Sequence, residues 1–328
     1  MMTASRVVLM LLCGLVAFAQ DGVRGERASS PQGTSRETIS LFLHFPVGRL
    51  FSYVYHDTTD VHRVYSDSST LDYRRTVTYY LSLEAVESPH NGVASVQVTI
   101  DSLAYSFSSG GNTISYKPGD QMPLQFPDFV AAVVPVNRQF RMEYSPYWDV
   151  ATIEGDMLDW LRSYVTEGAE KVSSFDSVQQ FVWLRNISLP VLAQYADPQK
   201  GALPAGRVAL DSVWTKPFVC LADGIEFRDA SAKTRIVEQR GPVFVLETRC
   251  DSLQPKLEAL KLYNIGRFVD ITGGSASCIH RVDVHKAGFI ESASSILSAL
   301  VTCRVRNEVF QQHIRSHTVW TLRGQYDY

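Results

Sequence analysis

The sequence predicts an α+β protein that is mostly antiparallel β: two curved β-meander units with a short two-helix segment between them. Three observations carry this. Period-two alternation of apolar and polar residues recurs through both ends of the chain, the mark of strands with one buried face. Turn-forming clusters separate those runs. Helical spacing of apolar residues is confined to one stretch near the middle.

The longest β signal runs from Tyr73 to Phe107. In its first arm Val77, Tyr79, Leu81, Leu83 and Ala85 share one parity, and Thr76, Thr78, Tyr80, Ser82 and Glu84 share the other. Ser88-Pro89-His90-Asn91-Gly92 supplies the turn. The second arm carries Val96, Val98 and Ile100 on one face. The phase then slips after Asp101-Ser102 to Leu103, Tyr105 and Phe107, which predicts a β-bulge.

The N-terminus reads as a signal peptide over residues 1–19. Arg6 is the positive start, Val7 to Phe18 the apolar region, and Ala17-Phe18-Ala19 a small-x-small cleavage site. Its loss would move the formal charge from −3 to −4, since it carries one charge, Arg6. Residues 20–38 are polar and mixed in charge, a disordered lead-in. No later stretch approaches the ~20 apolar residues of a spanning helix. No basic stripe suggests nucleic acid. The expected setting is therefore the periplasm or the extracellular space, with the mature chain soluble.

Alternation resumes at Phe51, Tyr53 and Tyr55. After the long hairpin, Asp128 to Val134 fits one or two helical turns capped by Asp128. Gln139 to Tyr144 and Val150 to Glu154 read as strands. Met157, Leu158, Trp160, Leu161, Tyr164 and Val165 mark the face of a helix, and Asp176 to Asn186 a second, with Pro190 ending the helical zone. These complete an N-terminal unit over residues 39–195. Residues 196–206, rich in Pro and Gly, form a linker. The C-terminal meander, 207–328, runs through Phe218 to Ala222, a turn at Asp223-Gly224, Lys233 to Glu238, Val243 to Arg249, Cys278 to His285, Leu297 to Arg306 and Phe310 to Leu322. Gly273-Gly274-Ser275 lacks the Lys-Ser/Thr end of a phosphate loop and reads as a turn.

Val136-Asn137-Arg138-Gln139-Phe140-Arg141-Met142, Ser145-Pro146-Tyr147-Trp148-Asp149-Val150 and Gly206-Arg207-Val208-Ala209-Leu210-Asp211-Ser212-Val213-Trp214, in this order around the helices, resemble an uncharacterised family of exported, β-rich bacterial envelope proteins. The resemblance covers most of the mature chain at the level of pattern. It implies an envelope setting and hands no catalytic role to any residue.

Of five cysteines, Cys13 leaves with the signal. An even number in an exported chain points to disulfides. Strand parity favours Cys278–Cys303 with Cys220–Cys250; four buried free thiols are the alternative. His56-Asp57-Thr58-Thr59-Asp60-Val61-His62 concentrates two imidazoles and two carboxylates, so His56, Asp57, Asp60 and His62 are candidate metal ligands for a metal-assisted hydrolase, or else a polar turn. No nucleophile elbow is present, and no cofactor motif. The aromatic supply suggests an apolar cavity beside Tyr79, Tyr105, Phe107, Trp160 and Trp183, suited to a lipid or other hydrophobic ligand. The function expected is a non-catalytic binding or carrier protein. A structural module docking an envelope protein is the third reading.

Overall fold

The computed structural model describes residues 38–327 apart from 88–89, 91–92, 146–148, 156–158, 160–162, 164–184 and 186–187. The signal peptide, the helix faces at Met157–Val165 and Asp176–Asn186, and the side chains of Trp160 and Trp183 fall outside the described residues. Residues 37–328 form one compact unit.

Its strands are β1 (Thr38–Ile39), β2 (Arg49–Val64), β3 (Thr70–Ala85), β4 (Ala94–Ser109), β5 (Asn112–Tyr116), β6 (Arg138–Tyr144), β7 (Val150–Glu154), β8 (Val208–Ala209), β9 (Val213–Ala222), β10 (Ile225–Arg240), β11 (Val243–Pro255), β12 (Ala259–Leu260), β13 (Val269–His285), β14 (Phe289–Val305) and β15 (Glu308–Asp327). Two helices lie among the described residues, α1 (Pro127–Val133) and α2 (Leu189–Ala196).

The expected pair of separate meanders is corrected. One 13-stranded sheet runs β7-β6-β4-β3-β2-β15-β14-β13-β11-β10-β9, with β5 on β4 and β12 on β13. The seam is β2 against β15, from Val64 opposite Gln311 to Arg49 opposite Asp327. That ladder joins the first long strand of the chain to the last. Backbone groups that would be edges of two meanders become a central pairing, which leaves fewer open edges to protect.

The long hairpin forms as expected. Ile100 lies opposite Leu81 and Ser102 opposite Tyr80, so Asp101 is the extra residue of a bulge. The slip keeps Val96, Val98 and Ile100, then Leu103, Tyr105 and Phe107, on the buried face. Other local expectations change. Phe126, not Asp128, is the N-cap of α1, and Asp128 sits in its first turn, where a carboxylate meets the positive end of the helix. Pro190 begins α2 rather than ending a helical zone, because Pro is tolerated where the backbone N–H needs no partner. Gly273-Gly274 lies inside β13 at a bulge and is not a turn. Ala202 and Leu203, in the expected linker, are buried.

The C-terminal half curls strongly. In a flat sheet β9 and β13, three strand spacings apart, would stand about 14 Å from each other. Here the Phe218 ring of β9 lies 5.6 Å from the His280 ring of β13. Register breaks at Asp229/Ala232, Ile236/Glu238 and Cys250/Leu253 supply the bend. The Asp223-Gly224 turn, with both residues at positive φ, then reaches back over the concave face toward β3 and β15.

Candidate functional site

On β2 the inner parity carries Phe51, Tyr53 and Tyr55, and continues with Asp57, Thr59, Val61 and Arg63, all buried. On β3 the same face carries Tyr73, Arg75, Val77 and Tyr79. Strand alternation thus places charged groups in line with the aromatic core. With α1, α2 and the Asp223-Gly224 turn laid over them, these residues enclose a cavity of about 150 Å³. Its lining includes Tyr55, Asp57, Arg75, Tyr79, Asp128, Tyr195 and Asp223.

Arg75 donates from Nη1 to Asp128 Oδ1 at 3.4 Å, while its buried Nε has no hydrogen-bond partner among the described residues. Tyr105 donates to Asp128 Oδ2 at 2.6 Å, and Tyr79 to the Ala132 carbonyl at 2.7 Å, so both phenols fasten α1 to the sheet. Gln194 of α2 donates to the Tyr55 hydroxyl at 2.7 Å. Tyr73 and Gln312 both donate to Asp223 Oδ2, at 2.7 and 2.8 Å. Thr59 and Ser316 donate to Asp57 Oδ1, each at 3.2 Å. The rings of Tyr79 and Tyr195 lie 4.7 Å apart, and those of Tyr55 and Tyr195 5.5 Å.

The electrostatics follow from burial. Desolvation raises the Asp57 and Asp223 carboxyls, and the Arg75 charge works against that rise in both. Desolvation also works against the Arg75 charge, but Asp128, Asp223 and Asp57 outweigh it and keep the guanidinium firmly protonated. Burial raises the Tyr55, Tyr79 and Tyr105 phenols. These phenols therefore stay neutral and act as hydrogen-bonding groups rather than bases.

A second pocket of about 410 Å³ lies beside α2. Leu189, Pro190, Ala193, Val219 and Leu221 give it apolar walls, and Asp149, Asp197 and Lys200 stand among its lining residues. Gln194 and Leu221 belong to the walls of both pockets. Burial pushes the Asp197 carboxyl up to about 7.

Of the expected cavity residues, Tyr79 lines the smaller cavity. Tyr105 flanks it through Asp128, and Phe107 packs on Tyr263 at 4.5 Å beside it. The lining of the inner cavity is mixed: Val77, Val191, Leu260 and Leu262 stand beside Asp57, Arg75, Asp128 and Asp223. The metal candidates do not converge. The His56–His62 segment is the middle of β2, not a turn, and alternation buries Asp57 while sending His56, Asp60 and His62 to the opposite face. His62 instead bonds Asp72 at 2.7 Å and His56 bonds Thr78 at 2.8 Å. Among the described residues no group of three or more His, Cys, Asp or Glu could hold a metal ion.

The expected disulfides are corrected as well. The four described cysteines, Cys220, Cys250, Cys278 and Cys303, are free and buried. Cys278 lies opposite Leu297 on β14, six residues short of Cys303, or about 20 Å along the strand. The turn between β13 and β14 begins directly after His285, which places Cys303 much farther from it than Cys278. Cys220, on β9, and Cys250, on β11, lie two strands apart with β10 between them.

Sequence reasoning missed Arg75, Asp57, Asp128 and Asp223 as a group. Parity with Tyr55 and Tyr79 was the available signal for the first two. No signal tied Asp223, in a turn, to either.

No protein-family model matches the chain, and no curated protein sequence is similar to it. A solved structure describing lipid–protein interactions in lipovitellin resembles 87% of this chain, with a TM-score of 0.45 and 11% sequence identity. It is covered over 26% of its own length, so this chain spans about a quarter of that one. A likeness of that degree says nothing of a ligand here. The chain itself has a mostly antiparallel β fold and, among the described residues, no helix long and apolar enough to cross a membrane.

Proposed function

We propose that this protein is an exported, non-catalytic binding protein for a small amphipathic ligand, held where α2 crosses the curved sheet. One observation carries the reading: two pockets share the walls Gln194 and Leu221, one with a charged and phenolic lining, the other with apolar walls. The inner cavity, at about 150 Å³, admits a group of roughly benzene's size. It suits a polar or aromatic head, with the charged Arg75 and Asp128 side chains in its lining. The 410 Å³ pocket suits the apolar remainder. The export half of the reading rests on the N-terminal sequence. The neutral phenols and a permanently charged guanidinium favour holding a ligand over transferring protons.

The test is native mass spectrometry of protein taken from its own host, before and after organic extraction. The expected result is an added mass that extraction removes and that Ala193→Trp, which fills the apolar pocket, prevents. A bare mass in both wild-type spectra would overturn the proposal.

A further inference from the structure

Three of the four described cysteines gather on the concave face of the C-terminal half. Cys250 of β11 and Cys278 of β13 are direct cross-strand partners. Cys220 of β9 comes toward Cys278 from three strands away, on the same parity as the Phe218 and His280 rings that lie 5.6 Å apart. Cys303 is apart, with Ile271 and Phe310 as its cross-strand partners. The approach of Cys220 is a product of the curl described above, and the Phe218–His280 ring contact marks the same closure two residues away.

We propose that Cys220 and Cys278 form a reversible disulfide that fastens the edge strand β9 to β13 across the interior of the curl, with Cys250 and Cys303 left as thiols. The geometry selects this pair. A bond from Cys278 to Cys303 would need a shift of about 20 Å along β14. Cys250 and Cys278 already sit on hydrogen-bonded neighbouring strands, so a bond there would fasten nothing new. Cys220 belongs to the wall of the 410 Å³ pocket, which gives a small reagent a route to the pair. The two thiols are unlike. Contact with Cys220 lowers Cys278, whereas contact with Cys278 and then burial raise Cys220. Lys200 also acts to lower both.

The oxidant is a low-molecular-weight disulfide, R–S–S–R. The Cys278 thiolate attacks one sulfur of the reagent. A Cys278–S–S–R bond forms and the reagent S–S bond breaks, releasing a thiolate that takes the proton from Cys220. The Cys220 thiolate then attacks the Cys278 sulfur, expelling the second thiolate, which is protonated from solvent. Two protein thiols are oxidised and one reagent disulfide is reduced to two thiols.

The test uses the full wild-type chain equilibrated with oxidised and reduced glutathione, acid-quenched, unfolded, alkylated and mapped by mass spectrometry. The expected product lacks two hydrogens, carries one link between the Cys220 and Cys278 peptides, and is alkylated at Cys250 and Cys303. Cys303→Ser should give the same link. A Cys250–Cys278 or Cys278–Cys303 link, or alkylation at all four positions under oxidising conditions, would overturn the proposal.

Discussion

The half of the sheet built from β3, β4 and β6 and the half built from β9, β10, β11 and β13 both bury polar side chains, but with opposite results. In the first, Arg75, Asp128 and the phenols of Tyr55, Tyr79 and Tyr195 surround an open volume, and at least one buried donor, Arg75 Nε, is unused. In the second, the buried groups have partners: Glu247 accepts from Arg249 and Arg281, and Glu226 pairs with Arg228. Thr234 and Thr248 bond each other across β10 and β11 at 2.7 Å. His280 meets Ser295 at 2.8 Å and the Ser294 carbonyl at 3.1 Å through Nδ1, and the Gln199 carbonyl at 3.3 Å through Nε2. Unsatisfied polar groups are costly when buried, so the first half carries beside its cavity a cost that the paired groups of the second do not.

The two halves meet at the seam, and Arg63 is the residue whose removal should break the comparison most severely. It is fully buried. Its Nε and Nη2 donate to Gln312 Oε1 at 3.0 and 2.9 Å, and Nη1 to the Tyr263 carbonyl at 2.8 Å. Gln312 in turn holds Asp223 over the cavity. Arg63→Ala would strand these acceptors and leave a void, costing about 3–5 kcal/mol. Chemical denaturation should show that loss. An effect within 0.5 kcal/mol would mean that the seam does not couple the halves.

A narrower break lies in the second half alone. Gly274 adopts φ +140° inside β13, and a Cβ there would meet the Leu300 carbonyl oxygen and lie 2.9 Å from Val301 Cα on β14. Both are backbone atoms, so no rotamer change relieves the clash. Gly274→Ala should cost roughly 2–4 kcal/mol through strain and a distorted ladder. Hydrogen exchange should then rise in β13 and β14 while protection in β3 and β4 persists. Equal loss in both halves would remove the distinction.

How much of this was legible in the sequence depends on the range of the interaction. The bulge at Asp101 was readable because a one-residue phase slip is local. The buried charge was partly readable. Arg75 shares parity with Val77 and Tyr79, and Asp57 with Tyr53 and Tyr55, yet beside Arg74, or between His56 and Thr58, each looks like part of a solvated face. The joining of β2 to β15 was not readable, since no local pattern records which strand lies across a sheet when the partners are hundreds of residues apart. The cysteine pairing failed for the same reason: parity gives the face, whereas register and curl give the neighbour.

The finest comparison is between two titrating groups that face the same turn around Lys200. Burial and then Lys200 hold His280 down at about 3, so folding favours its neutral form. Its stabilisation is complete above the unfolded value near 6.5 and is lost as pH falls from there toward 3. Burial holds Asp197 up at about 7, so folding favours its protonated form. Its stabilisation is complete below the ordinary value of 3.8 and is lost as pH rises toward 7. Between pH 5 and 7 the two slopes oppose each other, each by about 2 kcal/mol. Single variants separate them. Relative to wild type, His280→Gln should gain stability on going from pH 7 to 5, and Asp197→Asn should lose it. Asn retains a carbonyl for the Lys200 backbone N–H that Asp197 now accepts at 3.3 Å, so its effect should be confined to charge. Urea titrations at the two pH values measure both. Parallel slopes for wild type and both variants would show that neither group is held by burial, and the sealed character of the second half would be lost with them.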